Sequence, residues 1–155
     1  MDKITTKTMF SHKSDEWETP NSFYRKLTGI WDFTLDPAAT IDNAKCKKFY
    51  TIDDDGLSKS WEGETVFLNP PYSQSSIWIE KAYEESQKED TLVAVLIPSR
   101  TCTKYWHKYC MKAQELHFIK GRLKFGNMTN SAPFPSVLVI FRKCVHTPSI
   151  YSMEK

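Results

Sequence analysis

Apolar and polar positions along the chain sort into short runs of two kinds. Leu92–Ile97 and Val137–Phe141 are unbroken apolar runs of strand length, and Pro98 closes the first. Runs of that kind suit strands buried on both faces of a sheet. Thr65–Leu68 is apolar and β-prone and stops at Asn69-Pro70-Pro71-Tyr72. Shorter strands are expected at Phe33–Leu35, which ends in Asp36-Pro37, and at Phe49–Thr51, which leads into the turn Asp53-Asp54-Asp55-Gly56. Leu116–Lys120, Arg122–Phe125 and Ser136–Arg142 read as three more strand-like pieces around Gly121 and Gly126.

The helical segments lie between them. Thr19-Pro20 is a helix start, a capping hydroxyl followed by a proline in the first turn, and Gly29 ends the segment Pro20–Thr28. Ser75 or Ser76 caps a second helix, whose pairs Ile79–Tyr83 and Trp78–Ala82 sit one turn apart; its tail, Glu84–Asp90, reads as solvent-facing. A basic, aromatic helix covers roughly 102–112. Strands alternating with helices and finishing in a β-rich end predict an α/β three-layer sandwich. Its sheet is mixed and mostly parallel, with antiparallel C-terminal strands. The organisation expected is a polar tail over 1–13, one domain over 14–145 and a loose C-terminal tail over 146–155.

The 155 residues and 40% hydrophobic content suit one core, and 14% aromatic residues argue against disorder. No apolar run is long enough to span a bilayer, so no membrane partner is expected. The polar Met1–Lys13 lacks an apolar secretory core, which predicts a cytoplasmic protein. None of the five glycines is spaced as G-x-G-x-x-G or as a phosphate loop. Cys46, Cys102, Cys110 and Cys144 form no C-x-x-C pair and read as reduced thiols, and Cys102–His107–Cys110 matches no common zinc spacing, so no metal is expected.

Charge changes the picture more. The net charge of +2 hides an asymmetry: residues 1–75 carry −3 and residues 76–155 carry +5. Between 100 and 143, nine basic residues face one acid, Glu115. They include Arg100, Lys104, Lys108, Arg122 and Lys124, interleaved with aromatics such as Tyr105 and Phe125. That is the footprint of a polyanion-binding surface; the plain alternative is a solvated helix face beside ordinary core aromatics. Lys104, Lys108 and Lys112 fall on one helical face, where mutual repulsion asks for a counter-charge such as phosphate.

Asn69-Pro70-Pro71-Tyr72 is the most informative motif. Each proline fixes its own φ and pushes the preceding residue into an extended conformation, so the segment is stiff. Neither proline has an N–H. The backbone there offers only carbonyl acceptors, to which Asn69 adds an amide oxygen. A rigid row of acceptors complements a group that only donates, such as an exocyclic amine. Tyr72 adds a plane on which a base can stack, worth about 1–3 kcal/mol in single-strand binders. The plain alternative is a rigid turn with an aromatic packed on it.

The motif belongs to a longer collinear series. It runs from Asp15-Glu16-Trp17-Glu18-Thr19-Pro20 through Phe33-Thr34-Leu35-Asp36-Pro37-Ala38-Ala39, Asn43-Ala44-Lys45-Cys46 and Asp54-Asp55-Gly56-Leu57 to Trp61. It continues with Asn69-Pro70-Pro71-Tyr72-Ser73, Pro98-Ser99-Arg100-Thr101, Gly121-Arg122-Leu123-Lys124-Phe125 and Ala132-Pro133-Phe134-Pro135-Ser136. This series resembles the phage-type DNA N6-adenine methyltransferases (Dam-like), in the class I S-adenosylmethionine-dependent methyltransferase group, which has a Rossmann-like fold.

The resemblance implies roles. Asn69 and the Pro70 carbonyl accept hydrogen bonds from the adenine amine, Pro71 stiffens the motif, and Tyr72 stacks on the flipped base. The amine nitrogen then attacks the sulfonium methyl in line, with no covalent intermediate and no metal. For S-adenosylmethionine, the resemblance points to Trp17, Thr19 and Pro20 at the methionine end. It adds Asp36 and Pro37 after the first strand, Asp54 or Asp55 at the ribose or adenine, and Asn69 beside the reacting methyl. Loop capping is the plain alternative for the carboxylates, and it is preferred for Asp53. Double-stranded DNA is the implied partner, gripped by Arg100, Lys104, Lys108, Arg122, Lys124 and Phe125, and the short chain leaves room for a homodimer.

Two departures from the wider group stand out. The glycine-rich loop after the first strand is replaced by Pro37-Ala38-Ala39, and only 33 residues separate Asp36 from Asn69, which predicts a pared-down sheet. Other readings remain: methylation of RNA or of a glutamine amide, or an inactive DNA-binding module with the same fold.

Overall fold

The computed structural model describes residues 17–144 and 148–155; the tail expected over 1–13 lies outside the described residues. Its strands are β1 (Leu35–Asp36), β2 (Lys48–Phe49), β3 (Thr65–Leu68), β4 (Leu92–Pro98), β5 (Glu115–Lys120), β6 (Ser136–Arg142) and β7 (Ser149–Glu154). The helices are α1 (Asn21–Thr28), α2 (Ser75–Ser86) and α3 (Lys104–Lys108). The seven strands form one sheet in the order β2-β1-β3-β4-β6-β5-β7. β2, β1, β3 and β4 are parallel, β6 is antiparallel to β4 and β5, and β7 is parallel to β5. β6 therefore runs against every other strand. The α/β class and the mostly parallel sheet with antiparallel C-terminal pairing are as expected.

The apolar runs fill both faces of this sheet. Val93, Val95 and Ile97 of β4 point to one side with Val137, Val139 and Phe141 of β6, where Trp78, Ile79 and Ala82 of α2 and Trp106 of α3 cover them. Ala94 and Leu96 point to the other side, under Phe23 and Leu27 of α1 and under Leu123, Phe125 and Ala132 of the segment after β5. Strict alternation thus puts one helical layer on each face, and burying each large apolar side chain contributes about 1.5–3 kcal/mol.

Several segments differ from expectation. Arg122–Phe125 is not a strand: Gly121 has φ of 76° and turns the chain out of β5. Leu123 and Phe125 still bury their side chains, which accounts for the strand-like pattern. Residues 149–154, expected within a loose tail, form β7; five of its six residues are exposed, so ladder pairing with β5 holds it rather than an apolar face. The basic helix stops at Lys108, and a single 3₁₀ turn, Cys110–Lys112, follows. Glu85 and Ser86, expected to face solvent, are 4% and 0% exposed.

The parallel strands bring their C-terminal ends to one edge. From β1 the chain moves outward to β2 and then crosses back to β3 on the other side of β1. The crevice between the ends of β1 and β3 is where open α/β sheets bind ligands.

Candidate active site

Asn69 leaves β3 at that crevice. Its amide nitrogen donates to the Trp17 carbonyl and, at 3.0 Å, to Thr19 Oγ1. A carbonyl can only accept, so the nitrogen must face Trp17 and the amide oxygen must face away. That oxygen is buried and meets no donor among the described residues. The Pro71 carbonyl accepts the Gln74 N–H at 2.9 Å, whereas no such partner meets the Pro70 carbonyl among the described residues. The row of acceptors read from the sequence thus narrows to two, Asn69 Oδ1 and the Pro70 carbonyl.

Tyr72 is 8% exposed, its hydroxyl has no partner among the described residues, and burial pushes its phenol well above the usual range. Its ring lies 6.4 Å from Trp17 and nearly parallel to it, 6.3 Å from Phe125 and 5.6 Å from Phe134. The three other separations are 5.6, 5.1 and 6.0 Å. Six similar distances among four rings describe a tetrahedron, not the walls of an open box. Trp17, assigned from the resemblance to the cofactor, packs its ring against the motif tyrosine and also lines the cleft beside β1, and Phe125, assigned to DNA, is 1% exposed inside the same cluster.

Between β1 and β3 lies a small cleft, open to solvent, lined by Glu18, Thr19, Asp36, Asn43, Lys45 and Asn69 among others. Asp36 is 4% exposed and accepts the Lys45 backbone N–H at 3.0 Å. Desolvation outweighs this bond and that from Ala38, so its carboxyl is pushed up to about 6. The Lys45 ammonium donates to Asn21 Oδ1 at 2.7 Å and lies 3.5 Å from Glu18. The hydroxyl oxygen of Thr19, expected to cap α1, accepts from the Asn69 amide instead; Pro20 takes the capping position and has no side chain to cap with.

Pro37 is buried, and Gly56 presses against it: a Cβ on Gly56 would sit 2.1 Å from the Pro37 carbonyl oxygen. The close backbone approach missing after β1 is thus supplied from a different loop. Asp54 and Asp55 belong to that loop but do not line the cleft. The Asp54 carboxylate accepts from the backbone and hydroxyl of Thr51, which hold it below the usual carboxylate range, and Asp55 adopts φ of 52° at the turn into Gly56.

The nine basic residues separate by sheet edge. Arg100 and Lys104 follow β4, and Arg122 and Lys124 follow β5, which places these four exposed residues at the edge that carries Asn69. Arg142 and Lys143 end β6 at the opposite edge, where Arg142 pairs with Leu92 at the start of β4. Lys108 finds its counter-charge in Glu80, 3.8 Å away, and lies 4.9 Å from the Tyr109 ring centroid. Lys112 lies over Tyr83.

Sequence reasoning missed Lys45, Glu18 and Asn43 as cleft residues. Nothing in their spacing marks them. They meet because the loop after β1 folds back on the segment before α1.

Comparison with known proteins points to one family. Residues 5–154 match the family model described as DNA N-6-adenine-methyltransferase (Dam). The chain is 32% identical over 111 residues to a DNA N-6-adenine-methyltransferase of Escherichia phage T1, covering 70% of this chain and 46% of that protein. It is 29% identical over 139 residues to a protein of the same description from Haemophilus phage HP1, covering 83% and 80%. The chain therefore belongs to the DNA N-6-adenine-methyltransferase (Dam) family.

Proposed function

We propose that this protein transfers a methyl group from S-adenosylmethionine to the exocyclic amine of an adenine flipped out of double-stranded DNA. The observation that carries the reading is Asn69 Oδ1, a buried acceptor without a partner among the described residues, held in place by two bonds from its own nitrogen. Leaving such an acceptor unmade is costly unless a ligand completes it. With the Pro70 carbonyl it accepts the two N–H bonds of an amine. The nitrogen lone pair is thereby drawn out of conjugation with the ring and made nucleophilic.

The cleft residues suit the donor. Asp36 and Glu18 answer its cationic groups, and Thr19 and Asn43 offer neutral polar partners. Bound there, S-adenosylmethionine supplies an electrophilic methyl group. Tyr72 stacks on the base once a neighbouring ring gives way, because the aromatic tetrahedron covers its face. Extruding the base costs a few kcal/mol, which stacking and the two acceptor bonds offset. Arg100, Lys104, Arg122 and Lys124 hold the phosphates around it, at the edge where the reaction takes place.

The test is product identification after incubation with labelled S-adenosylmethionine and unmodified DNA, RNA or protein. N6-methyladenine in DNA is expected. Label on RNA or a glutamine amide with none on DNA overturns the reading, and no label on any substrate points to an inactive DNA-binding module.

A further inference from the structure

We infer that the Ser136 hydroxyl binds the target base at ring nitrogen N3, on the edge opposite the amine; the inference rests on the methyl-transfer reading above. Ser136 is 1% exposed, and its hydroxyl meets no partner among the described residues. A hydroxyl can donate once and accept twice, so burying it unused costs stability that an alanine would not lose. Its backbone is settled in the ladder, opposite Pro98 of β4. The side chain alone is unfinished.

The position of this hydroxyl is the second observation. Asn69 stands two residues beyond Phe67 and bonds the segment before α1, which puts it on the face that α1 covers. Ser136 alternates with Leu138 and Ile140 on the same face. Leu68 pairs with Val95 and Ser136 with Pro98, so Ser136 lies two strands across from Asn69 and two residues further along. Strand spacing and rise make that roughly 10–12 Å between Cα atoms. Side chains stand off a sheet nearly at right angles, so the two orphan atoms are separated by a similar gap. A base ring with a hydrogen bond at each end fills it. The direction also fits. The donor cleft opens on the β1 side of Asn69 and Ser136 lies on the other, so a ring held by its amine extends away from the donor. Phe134 leans against Tyr72 and precedes Ser136 by two residues, so displacing this one ring uncovers both. A ring bound by its amine alone is free to swing. The Ser136 O–H donating to the N3 lone pair holds the amine in line with the methyl.

The experiment measures kcat/KM on duplexes whose target adenine is kept or replaced by 3-deazaadenine or 7-deazaadenine, both of which keep the amine and the pairing edge. Ser136→Ala is expected to lower kcat/KM by about three- to tenfold on adenine and on 7-deazaadenine, and by less than about twofold on 3-deazaadenine. Its urea melt should match that of the unmodified protein or move to higher urea, because no bond within the protein is lost. The same fold loss on all three duplexes overturns the inference, and so does a less stable Ser136→Ala, which would make Ser136 a core residue. Undiminished activity of the unmodified protein on 3-deazaadenine overturns it whether or not the variant folds. Failure of the unmodified protein to methylate any adenine duplex refutes the methyl-transfer reading itself.

Discussion

Two buried polar clusters sit at opposite edges of the sheet and are finished to different degrees. At the far end of α2, Glu85 is 4% exposed and accepts from the Trp61 backbone at 2.7 Å, from Lys81 at 2.6 Å and from Lys88 at 2.9 Å. Burial works against its charge, yet the bonds from Lys81 and Lys88 hold it below the usual carboxylate range. Asp36, equally buried at the other edge, has fewer partners, and desolvation wins there. Most of the unfinished groups lie at that edge. The five buried side-chain atoms without partners among the described residues belong to Asn69, Tyr72, Ser99, Ser136 and Trp78. Four of these follow β3 or β4 or open β6, and Trp78 lies in the first turn of α2. Polar groups are thus largely closed off at one edge and left open at the other.

Substitutions can break this contrast. The largest expected effect is on Asn69→Ala, where turnover falls by roughly a hundredfold to a thousandfold, as for removal of a positioned electrostatic group. Donor affinity should stay within about twofold and stability should fall by only about 1–2 kcal/mol. Loss of donor binding in calorimetry would instead make Asn69 a cofactor residue. Glu85→Ala should show the reverse, costing about 3–5 kcal/mol in urea melts because two lysines lose their anion, with turnover per folded molecule unchanged.

Asp36→Asn sharpens the comparison through pH. The folded carboxyl titrates near 6 against an ordinary 3.8, so the native state binds the proton more tightly than the unfolded chain. The protein should therefore lose stability as pH rises from about 4 to about 6, by no more than about 3 kcal/mol, and stay level above. The variant should lack that slope; parallel melting curves for the two proteins count against it. The smallest effects concern the basic residues. Arg122→Ala and Lys124→Ala should each flatten the salt dependence of DNA binding by about one unit of log–log slope, and Arg142→Ala and Lys143→Ala should not. Equal effects from both pairs would erase the distinction between the two edges.

Much of the fold was legible because its strands are continuous apolar runs. Thr65–Leu68 appears as expected, and the run Leu92–Ile97 extends only to Pro98. β7 was not legible, since its residues are mostly exposed and its cause is a distant partner, β5. Arg122–Phe125 misled because inward alternation marks burial, not ladder pairing, and Gly121 decides between them. In the site, the stiffness and acceptor character of Asn69-Pro70-Pro71-Tyr72 follow from residue type alone. That Pro71 spends its carbonyl on Gln74 does not, and neither does the diversion of Thr19 to a residue fifty positions away. Lys45 stands in the collinear series with no role assigned for the same reason: its contacts are with Asn21 and Glu18, which the fold brings to it.

The single reversed strand has a consequence for how the molecule is made. β6 lies between β4 and β5, although β5 precedes it in the chain, and β7 touches the sheet through β5. As the chain leaves the ribosome, β5 emerges before it has any neighbour in the sheet, and β4 waits with one edge bare. Only when β6 arrives can the two halves join, so the domain closes late and in one cooperative step. Until then β4 carries an apolar, unpaired edge of the kind that aggregates. Synthesis interrupted before residue 136 would leave that edge exposed, and the last eighth or so of the chain thus acts as the keystone of the whole sheet.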